Sequence, residues 1–474
     1  MERPDDTGCI RQQPGPAKLC ADWNDESGWA LPAVRGPLPG PLGVALIDVL
    51  ARHESPGITA RRARQGEARG LSKDPIAWVR AAGANVWDAD GNRFVDLTAG
   101  FGVATIGHTH PAVTAAITAQ ASRLLHGMGD VFPNDRRIEL MRALAEKGDE
   151  AGGLTQVILG SSGAEAVEAA LKTATLAARR PGVLAFWGGY HGLSYGALAA
   201  TAYKADFRAP FSAQLGTHVR HLPYGCDPGL IDAFVAGPAT CGESIGVILV
   251  EPIQGRGGEV VPPAGWLAAL REICDRRRLI LVFDEVYTGL GRTGRWWASQ
   301  LEGVRPDVMA VGKSLGGGLP IGAALARPDV MRAWGDSQGE AIHTSTFLGN
   351  PVVAAASLAT LEVMDGLDIP ALARRFEAAT RDFFAPHGIP VRGRGGMLGL
   401  ELGSAGAAAR VMGRLLRDGF IVLPSGVLGD ILGLTPPLVL SDAQRDAAFQ
   451  AILHAVAAER AEASPLEATT ESQP

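Results

Sequence analysis

Lysine occurs at only six positions in this chain, Lys18, Lys73, Lys147, Lys172, Lys204 and Lys313, and arginine supplies the rest of its 44 basic residues. Lys313 lies in the stretch MAVGKSLGGGLP, between an apolar run and three glycines. Arginine does not give up its proton in a protein, whereas a desolvated lysine becomes a neutral amine able to attack a carbonyl. The residue type at 313 therefore points to an amine nucleophile. Two carboxylates occupy comparable places: Glu251 follows the apolar run IGVILV, and Asp284 follows LILVF. Ligands of doubly wound α/β sheets collect at the carboxyl ends of strands. The spacing predicts that all three groups meet on one edge of such a sheet.

Alternate residues of a strand share a face, so Asp284 and Val286 are expected to point together while Glu285 points away. An acid beside a branched apolar residue suits a flat aromatic cation: the carboxylate pairs with a ring nitrogen and the valine packs on the ring. Pyridoxal phosphate presents such a ring, and it needs a Schiff-base lysine and an acid opposite the pyridinium nitrogen. A place for its phosphate is offered by GSSGAEAVEAALK, where Ser161, Ser162 and Gly163 open an amphipathic helix. Free N–H groups and the helix dipole attract an anion there, although the same letters also spell a plain N-cap.

Other motifs carry less. GLGRTG, Gly289 to Gly294, has the spacing of a dinucleotide fingerprint, but DEVYT separates it from its strand and RWW follows instead of a helix. VGKS lacks the first glycine of a P-loop, because Asp307 holds that position. His108 and His110 have no nearby cysteine or acid to complete a metal site, and are read as loop histidines that cap or hydrogen-bond. No metal is expected.

Short apolar runs that alternate with helical segments from about residue 155 must position these groups: 156–160, 182–187, 245–252, 279–286 and 307–313, with helices at 163–179 and 264–277. That rhythm predicts an α/β fold with a mostly parallel central sheet under helices on both faces. Residues 320–330 offer a further strand. NVWDADGNRFVDL (85–97) reads as a hairpin and 110–125 as a helix, while a long helix over about 351–365 leads into C-terminal helices and short strands. The expected division is a loosely ordered extension at 1–40, an N-terminal segment of a small α+β domain at 41–125, a large cofactor-binding domain at 126–350, the C-terminal part of the small domain at 351–460, and a disordered tail at 461–474. PLGVALIDVLARHESPG, near the start, reads as a short amphipathic helix.

A net charge of −6 with 46% hydrophobic and 20% charged residues gives no reason to expect nucleic acid or an anionic membrane as partner. No apolar run approaches the ~20 residues of a membrane span. Five scattered cysteines suggest neither a disulfide framework nor a zinc ribbon, and fit a reducing cytoplasm.

Six ordered motifs, GSSGAEAVEAALK, YHG, EPIQG, VFDEVYTGLGRTG, VGKSLGGGLPIGA and TSTFLGNP, resemble the class-III aminotransferases, pyridoxal-phosphate enzymes of fold type I. The likeness runs from about 75 to 455. It implies that Lys313 holds the cofactor as a Schiff base and shuttles the proton, and that Asp284 pairs with the pyridine nitrogen over a packed Val286. It further implies that Tyr190 stacks on the opposite face and that Gln254 bonds the ring hydroxyl. Ser162, Gly163 and Ala164 would hold the phosphate, with His191 and Glu251 also in the cofactor site. Thr346 would reach the phosphate of a neighbouring subunit, which implies a homodimer with shared active sites. The implied reaction moves an amino group between an amine or amino acid and a keto acid or aldehyde.

One departure stands out. Many members of this family carry a carboxylate-binding arginine three residues before the Pro-Pro of TPPL, and here that position is Gly433. Glu251, which pairs with that arginine in some members, would lose its partner. Either the substrate is an amine, an ω-amino compound or an amino sugar, or another arginine such as Arg292 or Arg394 reads its carboxylate, or the chain is a racemase or epimerase on the same scaffold. A cofactor-binding regulator is a fourth reading, without a DNA-binding helix pair or basic cluster to support it.

Overall fold

The protein is described here by a computed structural model covering residues 26–68, 75–237, 244–336 and 339–467. The rest of the expected extension, 1–25, and the end of the expected tail, 468–474, lie outside the described residues. An antiparallel meander of β1 (Trp78–Ala82), β2 (Asn85–Asp88) and β3 (Arg93–Asp96) comes first. The β2–β3 connection is the expected hairpin, with Gly91 supplying the positive φ (82°) that its turn needs. Residues 28–40, expected to be loosely ordered, are instead tied to this sheet. Ala33 exchanges backbone hydrogen bonds with Arg93, and the side chains of Asn85 and Asn92 accept from the N–H groups of Ala30 and Arg35. Asparagine side chains here replace a strand partner, which hydrophobic periodicity does not reveal.

The central sheet holds β4 (Gln156–Gly160), β5 (Gly182–Phe186), β6 (Val219–Leu222), β7 (Ile245–Val250), β8 (Ile280–Asp284), β9 (Val308–Val311) and β10 (Gly322–Ala326), in the order β4-β10-β9-β8-β7-β5-β6. Only β10 runs against the rest. Both faces of the strands are apolar because both are covered. Val183, Ala185, Val247, Leu249 and Val282 pack under the helix Gly163–Ala178, while Leu184, Phe186, Ile248, Val250, Leu281 and Phe283 pack under the helix Trp266–Arg277. Each large apolar side chain so buried contributes about 1.5–3 kcal/mol.

A third sheet joins β11 (Val391–Arg394), β12 (Met397–Glu401), β14 (Leu423–Ser425) and β15 (Ile431–Leu434), while β13 (Phe420–Ile421) crosses over to pair with β3. N- and C-terminal segments thus share one smaller body, whose core joins Val95 and Leu97 to Leu400, Val411, Leu434 and Phe449. The helix Pro351–Gly366, read from sequence as the start of this C-terminal unit, packs on the flank of the large sheet against Pro111–Ala121 and Asp135–Asp149. The last helix runs from Asp442 to Glu467, past the expected start of a tail at 461.

Candidate active site

The carboxyl ends of β7, β8 and β9 present Glu251, Asp284 and Lys313, as the spacing predicted. Lys313 follows β9 through Gly312 and adopts a φ of +43°, a left-handed conformation that costs a non-glycine residue about 1–3 kcal/mol. Its ammonium rests over the Tyr287 ring, 4.1 Å from the centroid. Tyr287 is fixed in turn by its hydroxyl, which donates to Thr435 Oγ1 at 3.1 Å. Lys313 keeps a part of its surface open, as a residue that substrate must reach requires. Burial nevertheless pulls its pKa down to about 8, against the opposing charges of Asp284 and Glu251. A neutral amine is therefore within reach at physiological pH.

Asp284 is the last residue of β8 and is buried. Its Oδ2 lies 2.8 Å from His191 Nδ1, and its Oδ1 accepts from Val286 N at 3.0 Å. Burial pushes the His191 pKa down, but the hydrogen bond and charge of Asp284, helped by Glu251, leave it raised overall. Val286 reaches the site through that turn and not through strand alternation, because β8 stops at Asp284. Glu285 does point away: its carboxylate accepts from Ala298 N and Ser299 N at 2.7 and 2.8 Å, and burial lifts its pKa to about 7.

The helix Gly163–Ala178 starts where β4 ends, with Ser162 as its N-cap accepting from Glu165 N. Among the described residues, the N–H groups of Gly163 and Ala164 at its tip have no hydrogen-bond partner. A Cβ added at Gly163 would stand 2.8 Å from Val286 Cγ1, so only glycine lets the helix tip and Val286 approach this closely. Gly163→Ala is expected to cost about 1–3 kcal/mol through overpacking and to weaken cofactor binding. Denaturant unfolding of the apoprotein and a cofactor titration check this.

Tyr190 and His191 meet the same strand ends through their bonds to Glu251 and Asp284, and Gln254 is buried in the turn after β7. Glu251 accepts from Tyr190 N at 2.8 Å and Gly255 N at 3.1 Å, and burial raises its pKa despite nearby His191. Glu251 therefore does not face Gly433. The carboxylate nearest that position is Glu259, whose Oε1 would lie 3.2 Å from a Cβ at residue 433. Gln254 Nε2 donates to Trp187 O at 2.9 Å. Thr346, expected to reach the phosphate of a neighbouring subunit, sits on an exposed loop next to Phe347, itself 61% exposed.

Neither proposed replacement arginine reaches the pocket. Arg292 is fully buried, and it donates to Gly396 O, Pro436 O and Thr105 Oγ1 at 3.2, 2.7 and 2.6 Å. Thr105 lies 2.5 Å from the Ser314 hydroxyl. Arg292 thus braces the residue after Lys313 and has few donors left for a ligand. Arg394 lies exposed on β11 beside Glu377. His108 bonds Asp96 at 2.8 Å, and His110 caps the helix Pro111–Ala121, which are the structural roles expected of them.

Sequence reasoning missed Tyr287, under Lys313, and Arg256, whose Cζ stands 4.5 Å from the centroid of Tyr190 and 5.1 Å from that of Tyr203. Arg256 carried a signal, as a lone charge among glycines at the end of a strand. The residues present fit pyridoxal phosphate: a lysine poised to be neutral, a buried carboxylate held by a histidine, and an open helix tip for an anion.

The sequence matches the family described as Aminotransferase class-III over residues 68–456. An acetylornithine aminotransferase from Methanopyrus kandleri is 37% identical over 390 residues, covering 82% of this chain and 96% of that one. One from Corynebacterium efficiens is 40% identical over 379 residues, 79% and 90% of the two chains. Among solved structures, the ornithine aminotransferase from Toxoplasma gondii superposes with a TM-score of 0.75 at 31% identity, covering 88% of this chain and 98% of that chain. An amine transaminase from an uncultivated Pseudomonas species, in its PLP-bound form, gives 0.74 at 29% identity, with 81% and 95% covered. This chain belongs to the class-III aminotransferases and is a pyridoxal-phosphate-dependent enzyme of that family.

Proposed function

We propose that Lys313 is the amine that binds the cofactor and moves the proton in an amino transfer between an amine or amino acid and a keto acid or aldehyde. The observation that carries this is the poised Lys313 amine next to the Asp284–His191 pair and the open tip of the helix Gly163–Ala178. When bound, pyridoxal phosphate supplies an electrophilic carbon that captures amines and a ring that takes up the electron pair left by a departing proton. Asp284 would hold the ring nitrogen protonated, and His191 would keep Asp284 ionised and aligned. Val286 would pack on one ring face and Tyr190 on the other, and Gln254 would orient the ring. Ser162, Gly163 and Ala164 would hold the phosphate. Lys313, as a neutral amine, would lift the substrate's α-proton and hold it for redelivery. Such acid–base work is worth about 10²- to 10⁴-fold in rate.

The relatives named above are aminotransferases, which favours transfer over racemisation. Acetylornithine, in the names of the two curated relatives, is the first amino donor to test with 2-oxoglutarate as acceptor. Glutamate formed only when both are present is the expected result. Loss of optical rotation without an acceptor, and no glutamate from any donor, would instead mean racemisation.

The pKa of Lys313 sets a pH dependence. Neutral amine falls tenfold per unit below pH 8, so the rate at which apoprotein captures pyridoxal phosphate should climb about tenfold per unit up to pH ~8 and then level off. A climb continuing toward pH 10 in stopped-flow absorbance would contradict a buried, poised amine.

A homodimer is the proposed assembly. Leu125, Val131, Phe132, Ile342 and Phe347 are all at least 60% exposed, on the two loops around Thr346 and the 124–132 segment. Thr344 Oγ1 donates to Asp130 at 2.8 Å and joins these loops. Apolar exposure of this extent marks a partner surface. Phe132→Glu with Phe347→Glu should convert a dimeric mass to a monomeric one in light scattering. The scarcity of cysteine supports a reducing compartment, the cytoplasm.

A further inference from the structure

Arg256 has an environment that its charge does not explain. It follows the Gln254–Gly255 turn after β7 and is partly exposed. Its guanidinium is over three aromatic rings, Tyr190 at 4.5 Å, Tyr203 at 5.1 Å and Phe207 at 5.7 Å from their centroids. Aromatic faces hold a guanidinium by its plane and leave its N–H donors free. Among the described residues no carboxylate forms an ion pair with it, in contrast to Arg271, Arg277, Arg327, Arg381 and Arg410.

Its position is equally specific. A Cβ at Gly255 would collide with the Tyr287 ring, and Lys313 rests on that same ring. The positive charge of Arg256 reaches Lys313 and adds to the lowering of its pKa. The backbone of Arg256 is pinned to the turn between β14 and β15, because Gly426 N donates to Arg256 O at 3.1 Å and Tyr203 Oη donates to Gly426 O at 3.1 Å. Gly433 lies on β15, the strand this turn leads into, and a Cβ there would press on Glu259 Oε1 at 3.2 Å and on Leu423 O at 3.3 Å, so a longer side chain has little room at that position. The fold thus brings an unpaired arginine to the region where the expected one is missing.

We infer that Arg256 reads a carboxylate of the substrate, a role moved from β15 to the loop after β7. The inference rests on the amino-transfer reading and deepens it: both amino donor and acceptor carry an acid group, and simple amines are poor substrates. A planar guanidinium already held on aromatic faces loses little freedom on binding a carboxylate through two parallel hydrogen bonds. Glu251 and Asp284 are engaged elsewhere and do not compete for it.

The test uses cofactor-loaded wild type, Arg256→Gln and Arg256→Lys. Glutarate, a dicarboxylate that has neither amine nor carbonyl and cannot react, is titrated by calorimetry. Its Kd is expected to rise about 10- to 100-fold in Arg256→Gln, as befits the loss of a charged hydrogen-bond pair, and by less in Arg256→Lys, which keeps the charge without the fork. In steady-state assays the ratio of KM for 2-oxoglutarate to KM for butanal should rise at least tenfold in Arg256→Gln, while cofactor absorbance per chain stays at the wild-type value. A glutarate Kd within twofold of wild type, or a KM ratio that does not move, overturns the assignment. So does loss of bound cofactor from Arg256→Gln, since the arginine would then serve the cofactor. If the wild type transfers no amino group at all, the amino-transfer reading fails, and the glutarate titration still decides whether Arg256 binds a carboxylate.

Discussion

Lys313→Ala is expected to lose at least about 10³-fold in the rate of amino transfer, within the range that one positioned acid–base group supplies, and to lose its stable attachment to pyridoxal phosphate. Lys313→Arg should be as inactive, because a guanidinium keeps its proton and is no nucleophile. That pair of variants separates chemistry from charge: if the side chain only balanced Asp284 and Glu251, arginine would rescue. The alanine variant should fold. The lysine ammonium is disfavoured by burial, with a pKa pulled down to about 8, so removing it relieves a cost in the apoprotein. Single-turnover absorbance with excess amino donor measures the rate, and a thermal melt checks the fold. Activity within tenfold of wild type in Lys313→Ala would end this account of the site.

Asp284→Asn should cost about 10²- to 10³-fold in kcat, the loss typical of removing one preorganised electrostatic group. The substitution keeps the shape of the side chain and both of its neighbours, Val286 N and His191 Nδ1. It removes the charge that keeps a ring nitrogen protonated and that holds the His191 pKa up. Without that charge the burial of His191 acts almost alone, so the His191 pKa should fall below its usual value. Proton NMR of the imidazole across the pH range reads that change without any turnover. A kcat within threefold of wild type would mean that the ring nitrogen has another partner.

The strands of the central sheet were legible because their two faces are both buried, and continuous apolar runs have few other uses. The one missed, β6, is an edge strand paired only with β5, and its VRHL sets two polar residues between two apolar ones, none of them fully buried, so it shows neither an apolar run nor alternation. Val286 arrived by a different route from the one predicted. Strand alternation gave the right neighbours, but a side-chain hydrogen bond from Val286 N to Asp284 turns the chain just past the end of β8. Residues 28–40 were misread for a related reason, since asparagine side chains anchor them and leave no periodic trace.

Within the site, Lys313, Asp284, Glu251 and the helix tip at Gly163 could be found because each ends or begins an element whose pattern is visible. Tyr287 and Arg256 could not be placed in the same way. Tyr287 owes its position to Thr435, 148 residues further on, and the aromatic rings around Arg256 come from the loop near residues 203–207. Such contacts are set by packing between distant segments. The expected alternatives Arg292 and Arg394 show the converse: one is spent on carbonyls inside the fold and the other lies out on β11, and neither placement leaves a trace in the local sequence.

The central claim is that the amine of Lys313 forms the covalent bond to the cofactor. Protein loaded with pyridoxal phosphate, reduced with borohydride and digested should yield one pyridoxyl-labelled peptide, the one containing Lys313, with the other five lysines unlabelled. A label on any other lysine, or none on Lys313 despite bound cofactor, would contradict it.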